Sequence, residues 1–400
     1  MKSLFENTPS VPLDPIMRLF EAYNSDPSPS KLNLVVGVYT NEQGDIPILR
    51  AVQAAERAWI SQAKPKSYRP IEGTAAYRRG VQELLFGADS SLISGGHVAT
   101  LQSLGGTGAL KIGADLLHVL APQSIVAVSS PSWENHRSLF ETAGFDVVDY
   151  AYYNAATQDV DIRAMLQSLE KLAAGTIVVL HACCHNPTGN DLSPEQWESV
   201  IEVLKRRQLI PFMDIAYQGF GDGLDQDALA VRLLAKAGMD FLVASSFSKS
   251  FSLYGERVGA LTIVSQDAGR TRQVEAFAKR IVRTAYSNPP THGAVIVESV
   301  LCTPALRAEW ETELREMRNR IRSMRQRLVS ELARRIPRRS FEAISRQKGM
   351  FSYSGLSSAE AKRLRDEHKI FVLETGRICV AALNENNLER VVDAIGLVSA

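Results

Sequence analysis

The middle of the chain alternates short apolar runs with amphipathic stretches. Residues 125–129, 176–181, 209–214, 241–246 and 258–264 are rich in Val, Ile and Leu and show no polar alternation. That is the pattern of strands covered on both faces. Between them lie stretches such as 194–207 with apolar residues at helical spacing, where Ser193 stands as an N-cap and Pro194 at the first helical position. Strand, helix, strand at a spacing of about 30 residues is the βαβ pattern and predicts a mostly parallel sheet with helices on both faces. The link from 246 to 258 is too short for a helical crossover. Strand 258–264 is therefore expected to run antiparallel to its predecessor.

The last quarter has a different period. From Glu309 to about Ile336, the residues Leu314, Met317, Ile321, Met324, Leu328 and Leu332 recur three or four apart, which predicts one long helix. Arg318, Arg320, Arg322, Arg325 and Arg327 crowd its remaining face, interleaved with glutamates, and are expected to be solvated. Residues 349–353 and 378–381 read as strands of a smaller α+β domain. The expected fold class is α/β, with a mostly parallel mixed sheet in a large domain over 46–315. The small domain is expected to be formed by both termini, 1–45 and 316–400.

Composition narrows the function classes. The 400 residues carry 45 Lys and Arg against 44 Asp and Glu. A net charge of +1 removes the electrostatic case for a dedicated nucleic-acid or membrane-surface protein. A hydrophobic content of 45% with so little net charge excludes disorder. Cys183, Cys184, Cys302 and Cys379 include an adjacent pair and form no disulfide framework, which suits a reducing compartment. The opening segment has one Lys, prolines at Pro9 and Pro12 and no apolar core, so it is not expected to be a signal peptide. No apolar run approaches the roughly 18 residues that span a bilayer. The chain is expected to be cytoplasmic, with neither nucleic acid nor membrane as partner.

Ligands of open α/β sheets gather at the carboxyl ends of the strands. Asp214 and Tyr217 follow one expected strand, and Lys249 follows the next. Arg257 lies eight residues beyond Lys249, and Gly105, Gly106, Thr107 and Gly108 open a helical stretch. Singly, each has an ordinary reading: a turn-capping acid, a solvated lysine, a surface arginine, a weak anion-binding loop. Together they match the needs of pyridoxal phosphate. A lysine forms the Schiff base, an acid pairs with the pyridine nitrogen, and an arginine with a helix N-terminus holds the phosphate.

Ser246-Phe247-Ser248-Lys249 with Arg257, Asp214-Ile215-Ala216-Tyr217-Gln218-Gly219-Phe220 and His185-Asn186-Pro187-Thr188-Gly189 resemble the fold-type I, class I aminotransferases. The resemblance covers residues 15–400 and lies in the aspartate and aromatic amino-acid branch. It is nearest the aromatic (tyrosine) members through 246–259, 101–115 and 131–136. It implies that Lys249 is the Schiff-base lysine and general base. Asp214 would pair with the ring nitrogen, backed by His136, and Tyr217 and Asn186 would bond the ring oxygen. Trp133 would stack on the ring, and Gly106, Thr107, Ser246, Ser248 and Arg257 would bind the phosphate. Arg377 would pair with the substrate α-carboxylate beside Gly37, Trp133 and Asn186. Tyr68 and Arg283 would reach in from a neighbouring subunit, to the phosphate and to a side-chain carboxylate, which implies a homodimer. Without the resemblance, Trp133 and Tyr68 read as ordinary aromatics, Arg283 as an ion-pair residue and His136 as a satisfied core histidine.

The implied activity moves an amino group from an aromatic (Tyr, Phe) or dicarboxylic (Asp, Glu) L-amino acid to a 2-oxo acid such as 2-oxoglutarate, by a ping-pong route. Pocket residues divide between the two branches. Ile46 is of the aromatic type, Val38, Thr107 and Asn288 are of the aspartate type, and Ser67 matches neither. The alternatives are an aspartate-preferring aminotransferase or a β-lyase or decarboxylase with the same Lys249, Asp214 and Arg257. An aminotransferase-like module of a transcription regulator is disfavoured, because the motifs begin too early for an added DNA-binding domain. His181, Cys183, Cys184 and His185 suggest zinc only superficially. The His pair at four apart would suit a helix, but 176–181 reads as a strand and Pro187 follows closely, and adjacent cysteines are not the usual chelate, so no metal is expected. The two cysteines are expected to be buried and inert.

Overall fold

A computed structural model describes residues 14–399 together with Ser3, Phe5, Glu6 and Thr8. Pro9, Pro12 and most of the opening segment lie outside the described residues. A seven-stranded sheet is formed by β1 (Val98–Leu104), β2 (Val126–Ser130), β3 (Val147–Ala151), β4 (Ile177–His181), β5 (Ile210–Ile215), β6 (Phe241–Ser246) and β7 (Val258–Val264). Their spatial order is β1-β7-β6-β5-β4-β2-β3. The run from β6 to β3 is parallel throughout. β7 is antiparallel to both of its neighbours, as the short link before it requires.

The apolar strands lack alternation because both sheet faces are covered. Val178, Leu180, Met213 and Val243 enter one buried cluster, while Ile177, Val179, Phe212 and Leu242 enter another. β1 and β3 are additions to the expected set. β1 is disguised by polar residues whose side chains are satisfied internally: Thr100 Oγ1 lies 3.0 Å from Thr262 Oγ1, and Gln102 Nε2 donates to Pro290 O at 2.7 Å. β3 is an edge strand that leaves Val148 and Asp149 exposed.

Three helices matter for the site. α1 (Gly105–Leu120) follows β1 directly, α2 (Ala268–Ala285) follows β7, and α3 (Pro304–Arg335) is the long helix of the last quarter. The helix Pro194–Arg206 begins with the expected cap, a reciprocal capping box between Ser193 and Gln196. All six apolar residues of the α3 stripe are buried.

The expectation of a solvated arginine face on α3 is corrected. Arg325 is buried and donates to Ser352 Oγ and Gly349 O. Arg318 donates to Gly219 O at 2.9 Å and Arg322 to Gly221 O at 2.7 Å. Arg320 serves Glu42, Thr40 O and Leu383 O. Their flexible apolar stems bury well, and the planar five-donor heads satisfy backbone carbonyls that no other group reaches. Arg322, despite its bond to Gly221 O, and Arg327 keep the expected exposed places.

The two ends of the chain meet. Leu32–Asn33 pairs in parallel with Ile370–Phe371, and Phe351–Tyr353 pairs antiparallel with Arg377–Cys379. Among the described residues, no helix is long and apolar enough to cross a membrane.

Candidate active site

The carboxyl ends of β1, β4, β5 and β6 surround a cavity of about 330 Å³. It is lined by Gly37, Gly106, Thr107, Trp133, Asn186, Asp214, Tyr217, Ser246, Ser248, Lys249, Arg257 and Arg377. Each of these was expected at the site. The parallel strands deliver Asp214 and Ser246 to one edge. The reversed β7 starts at the same edge, so Arg257, just before it, stands near the residues that follow β6.

Lys249 stands in the turn after β6. Its amine has no hydrogen bond or ion pair among the described residues and lies 5.1 Å from the centre of the Tyr217 ring. Burial lowers its pKa to about 8, with Arg257 adding to the effect and Asp214 opposing it. At pH 8 roughly half of such an amine is neutral, against about 1 part in 300 for an ordinary lysine.

Asp214 is 6% exposed, and its Oδ2 lies 3.0 Å from His136 Nε2. His136 is fully buried, and its Nδ1 lies 2.9 Å from Ser132 Oγ. Since a carboxylate only accepts, Nε2 carries the donated proton. Burial pushes the Asp214 carboxyl up, but the His136 bond and the surrounding positive charge hold it below the usual carboxylate value. The Tyr217 phenol is held well above its ordinary value by burial.

One end of the cavity is shaped for an anion. α1 begins without a side-chain cap, which leaves its first N–H groups free of side-chain partners, and Gly106 and Thr107 of its first turn line the cavity. A Cβ on Gly105, which has φ of +69°, would lie 2.7 Å from Arg257 Nη2. One on Gly106 would lie 3.0 Å from Ser246 Cβ. Only glycine lets the backbone come this close. Arg257 is fixed by Nη1 donating to Tyr254 O at 2.9 Å and Ser248 Oγ at 3.3 Å. Thr107, Ser246 and Ser248 add hydroxyls.

At the other end, Arg377 is 1% exposed. It donates from Nη1 to Asn186 Oδ1 at 3.0 Å and from Nη2 to Val35 O at 2.8 Å, and lies 4.1 Å over the Phe351 ring. Gly37 belongs there because a Cβ would meet Phe351 Cζ at 2.5 Å.

Three expected site residues are not in this lining. His136 lies behind Asp214. Tyr68 is 89% exposed, and Arg283 is exposed on α2 beside Ser287. Of the specificity positions, Val38 and Thr107 line the cavity, while Ile46, Ser67 and Asn288 do not.

Sequence reasoning missed Ile16, Tyr254 and Phe351 as lining residues. Tyr254 was findable, since it falls between Lys249 and Arg257. Phe351 and Ile16 are apolar residues far away in sequence and carried no signal. His181 also lines the cavity, and burial lowers its pKa to about 3, so it is a neutral ring packed between His136 and His185. His185 has both ring nitrogens engaged, by Ser129 and Thr188, which leaves none for a metal. Contact with Cys184 and burial raise the Cys183 thiol, and burial raises Cys184 to about 11.

A half-buried unpaired amine, a paired carboxylate, an anion cup and an enclosed guanidinium thus line one cavity. The family described as aminotransferase class I and II matches residues 29–395. The aspartate aminotransferase of Pseudomonas aeruginosa is 57% identical over 98% of this chain and 99% of its own. The aromatic-amino-acid aminotransferase of Escherichia coli is 49% identical over 99% of this chain and 100% of its own. The crystal structure of an aromatic-amino-acid aminotransferase from Burkholderia pseudomallei, covalently bound to pyridoxal phosphate, superposes with a TM-score of 0.97 at 57% identity. That match covers 99% of this chain and 100% of the other. The chain belongs to the class I and II aminotransferase family.

Proposed function

We propose that this aminotransferase uses pyridoxal 5'-phosphate to move the amino group of aromatic (Tyr, Phe) and dicarboxylic (Asp, Glu) L-amino acids to a 2-oxo acid such as 2-oxoglutarate. The observation that carries the reading is the half-buried, unpaired amine of Lys249, which shares the cavity with Asp214 and the anion cup. The residues fit the cofactor: the glycine cradle admits a phosphate where any Cβ would intrude, and the Lys249 amine is committed to no protein partner. When bound, the cofactor supplies a carbonyl that condenses with amines and a ring that takes up electron density.

The chain's own groups do the rest. Gly106, Thr107, Ser246, Ser248 and Arg257 hold the phosphate. Asp214, oriented by His136, keeps a proton on the ring nitrogen. Tyr217 and Asn186 bond the ring oxygen, and Trp133 covers one ring face. Lys249 Nζ takes and returns the proton of the substrate α-carbon. Arg377 clamps the α-carboxylate through its planar fork.

Tyr68 and Arg283 of each protomer complete the cavity of its partner in a homodimer, to the phosphate and to a side-chain carboxylate respectively. Their exposure here supports this, as does Ile60, which is 61% exposed on the helix that precedes Tyr68. The pairing of residues 32–33 with 370–371 supports a small domain of 1–45 and 316–400 against a large domain of 46–315. The working compartment is the cytoplasm.

The direct test mixes the yellow holoenzyme with Tyr, Phe, Asp, Glu and Leu in turn and ranks the rates at which its absorbance changes. Leu is expected to be slowest, and a Leu rate above the other four would overturn the substrate assignment. Arg283→Leu is expected to lower kcat/KM for Asp and Glu by about 10- to 100-fold, the worth of a charged hydrogen-bond pair, and that for Phe far less. An equal loss on both classes contradicts the assignment. Arg377→Lys keeps the charge but not the fork, and is expected to cost roughly 10- to 100-fold in kcat/KM on every substrate alike.

A further inference from the structure

One buried carboxylate beside the site has no part in the scheme above. Asp227 is 4% exposed and faces the loop by which the chain leaves Tyr217. Its Oδ2 accepts from the N–H of Gly219 at 2.7 Å and of Gly221 at 2.9 Å, and its Oδ1 from that of Asp222 at 2.8 Å. The carbonyls of Gly219 and Gly221 are taken by Arg318 and Arg322 of α3. The loop is therefore gripped from both sides.

Tyr217 is 5% exposed and packs into the main apolar cluster, but its polar end is not anchored. Its hydroxyl has no hydrogen bond among the described residues, and its ring meets Phe351 edge-on at 6.1 Å. Its carbonyl accepts from Phe220 N at 3.0 Å, inside the gripped segment. With no polar partner at its tip, the phenol is placed by this packing and by the backbone that carries it. Burial raises the Asp227 carboxyl to about 6 even against three N–H donors, so it is ionised at neutral pH and its bonds are charge-assisted.

We propose that Asp227 is a positioning residue for Tyr217: by binding the N–H groups of Gly219, Gly221 and Asp222 it fixes where the phenol hydroxyl meets the ring oxygen of the cofactor. This rests on the role of Tyr217 proposed above. Asp227→Ala removes both acceptor oxygens and so all three bonds, whereas Asp227→Asn keeps the shape, one oxygen and no charge.

In the cofactor-free full-length protein, amide hydrogen exchange over residues 217–222 is expected to speed up about tenfold or more in Asp227→Ala and less in Asp227→Asn, with α1 and β6 unchanged. In the loaded enzyme, the pH midpoint of the cofactor's near-visible absorbance is expected to rise by about half a unit in either variant, in the same direction as in Tyr217→Phe. A hydroxyl donating to the ring oxygen favours its charged form, and a displaced one does so less. Combined with Tyr217→Phe, either Asp227 change is expected to add little further shift. A midpoint equal to wild type in a folded Asp227→Asn protein, or full additivity with Tyr217→Phe, overturns the proposal. A wild-type protein without the absorbance would instead overturn the cofactor reading, while unchanged exchange in Asp227→Asn and Asp227→Ala would by itself refute the grip.

Discussion

Lys249→Ala is expected to lower multiple-turnover transamination by on the order of 10⁴-fold or more, because one substitution removes both the proposed covalent attachment point and the proposed proton-transferring base. No neighbour can substitute. The Tyr217 phenol is held too high in pKa to act as a base at neutral pH, and Asp214 is engaged by His136. Steady-state rates with Asp and Phe check this, and activity near the wild-type level would remove Lys249 from the mechanism. Borohydride reduction should add the cofactor mass to the peptide containing Lys249 in wild type and to no peptide in the variant.

The same change has a stability signature in the cofactor-free protein. Burial lowers the folded amine to about 8 from the ordinary 10.5. Between those values the unfolded chain binds more protons than the folded one, so wild-type stability rises with pH across the window. Relative to Lys249→Ala, the wild type is expected to gain stability from about pH 8 to 10.5 and to show no change in difference below 8. Urea midpoints measured across that range read it out, and a difference that shrinks as pH rises contradicts the burial assigned to this amine.

Asp214→Ala is expected to reduce kcat by about 10²- to 10³-fold, the range found when a preorganised electrostatic partner is removed. It also strands His136 Nε2, which is fully enclosed, at a stability cost of about 1–3 kcal/mol. Asp214→Asn separates the two effects. It retains the shape and a hydrogen-bond acceptor for His136 but cannot hold a proton on a ring nitrogen by charge. It is expected to keep most of the stability and lose most of the activity. Activity of Asp214→Asn within about threefold of wild type would show that the negative charge is not used.

The parts legible in the chain were those whose cause is local. Five of the seven strands declared themselves because their residues are apolar on both faces. The reversal of β7 followed from the length of one link. Lys249, Asp214 and Arg257 were readable because each lies at or just beyond a strand end, where the topology must collect them. β1 was not legible, since Thr100 and Gln102 look like surface residues until Thr262 and Pro290 are placed beside them. Arg325 misled for the same reason: an arginine among arginines on a helix looks solvated, and only the segment 349–352 folding over it supplies the acceptors.

The chain by itself therefore determined the α/β layering, the direction of its strands and which polar residues meet at one sheet edge, because periodicity, link length and strand-end position are properties of contiguous residues. Tertiary structure alone decided that Phe351 lies under Arg377 and that Gly37 must be a glycine to pass it. It also decided that Asp227 grips the loop leaving Tyr217, and that Tyr68 and Arg283 stand outside this chain's own cavity. These are contacts between segments distant in sequence, and no local pattern encodes the distance between two such segments.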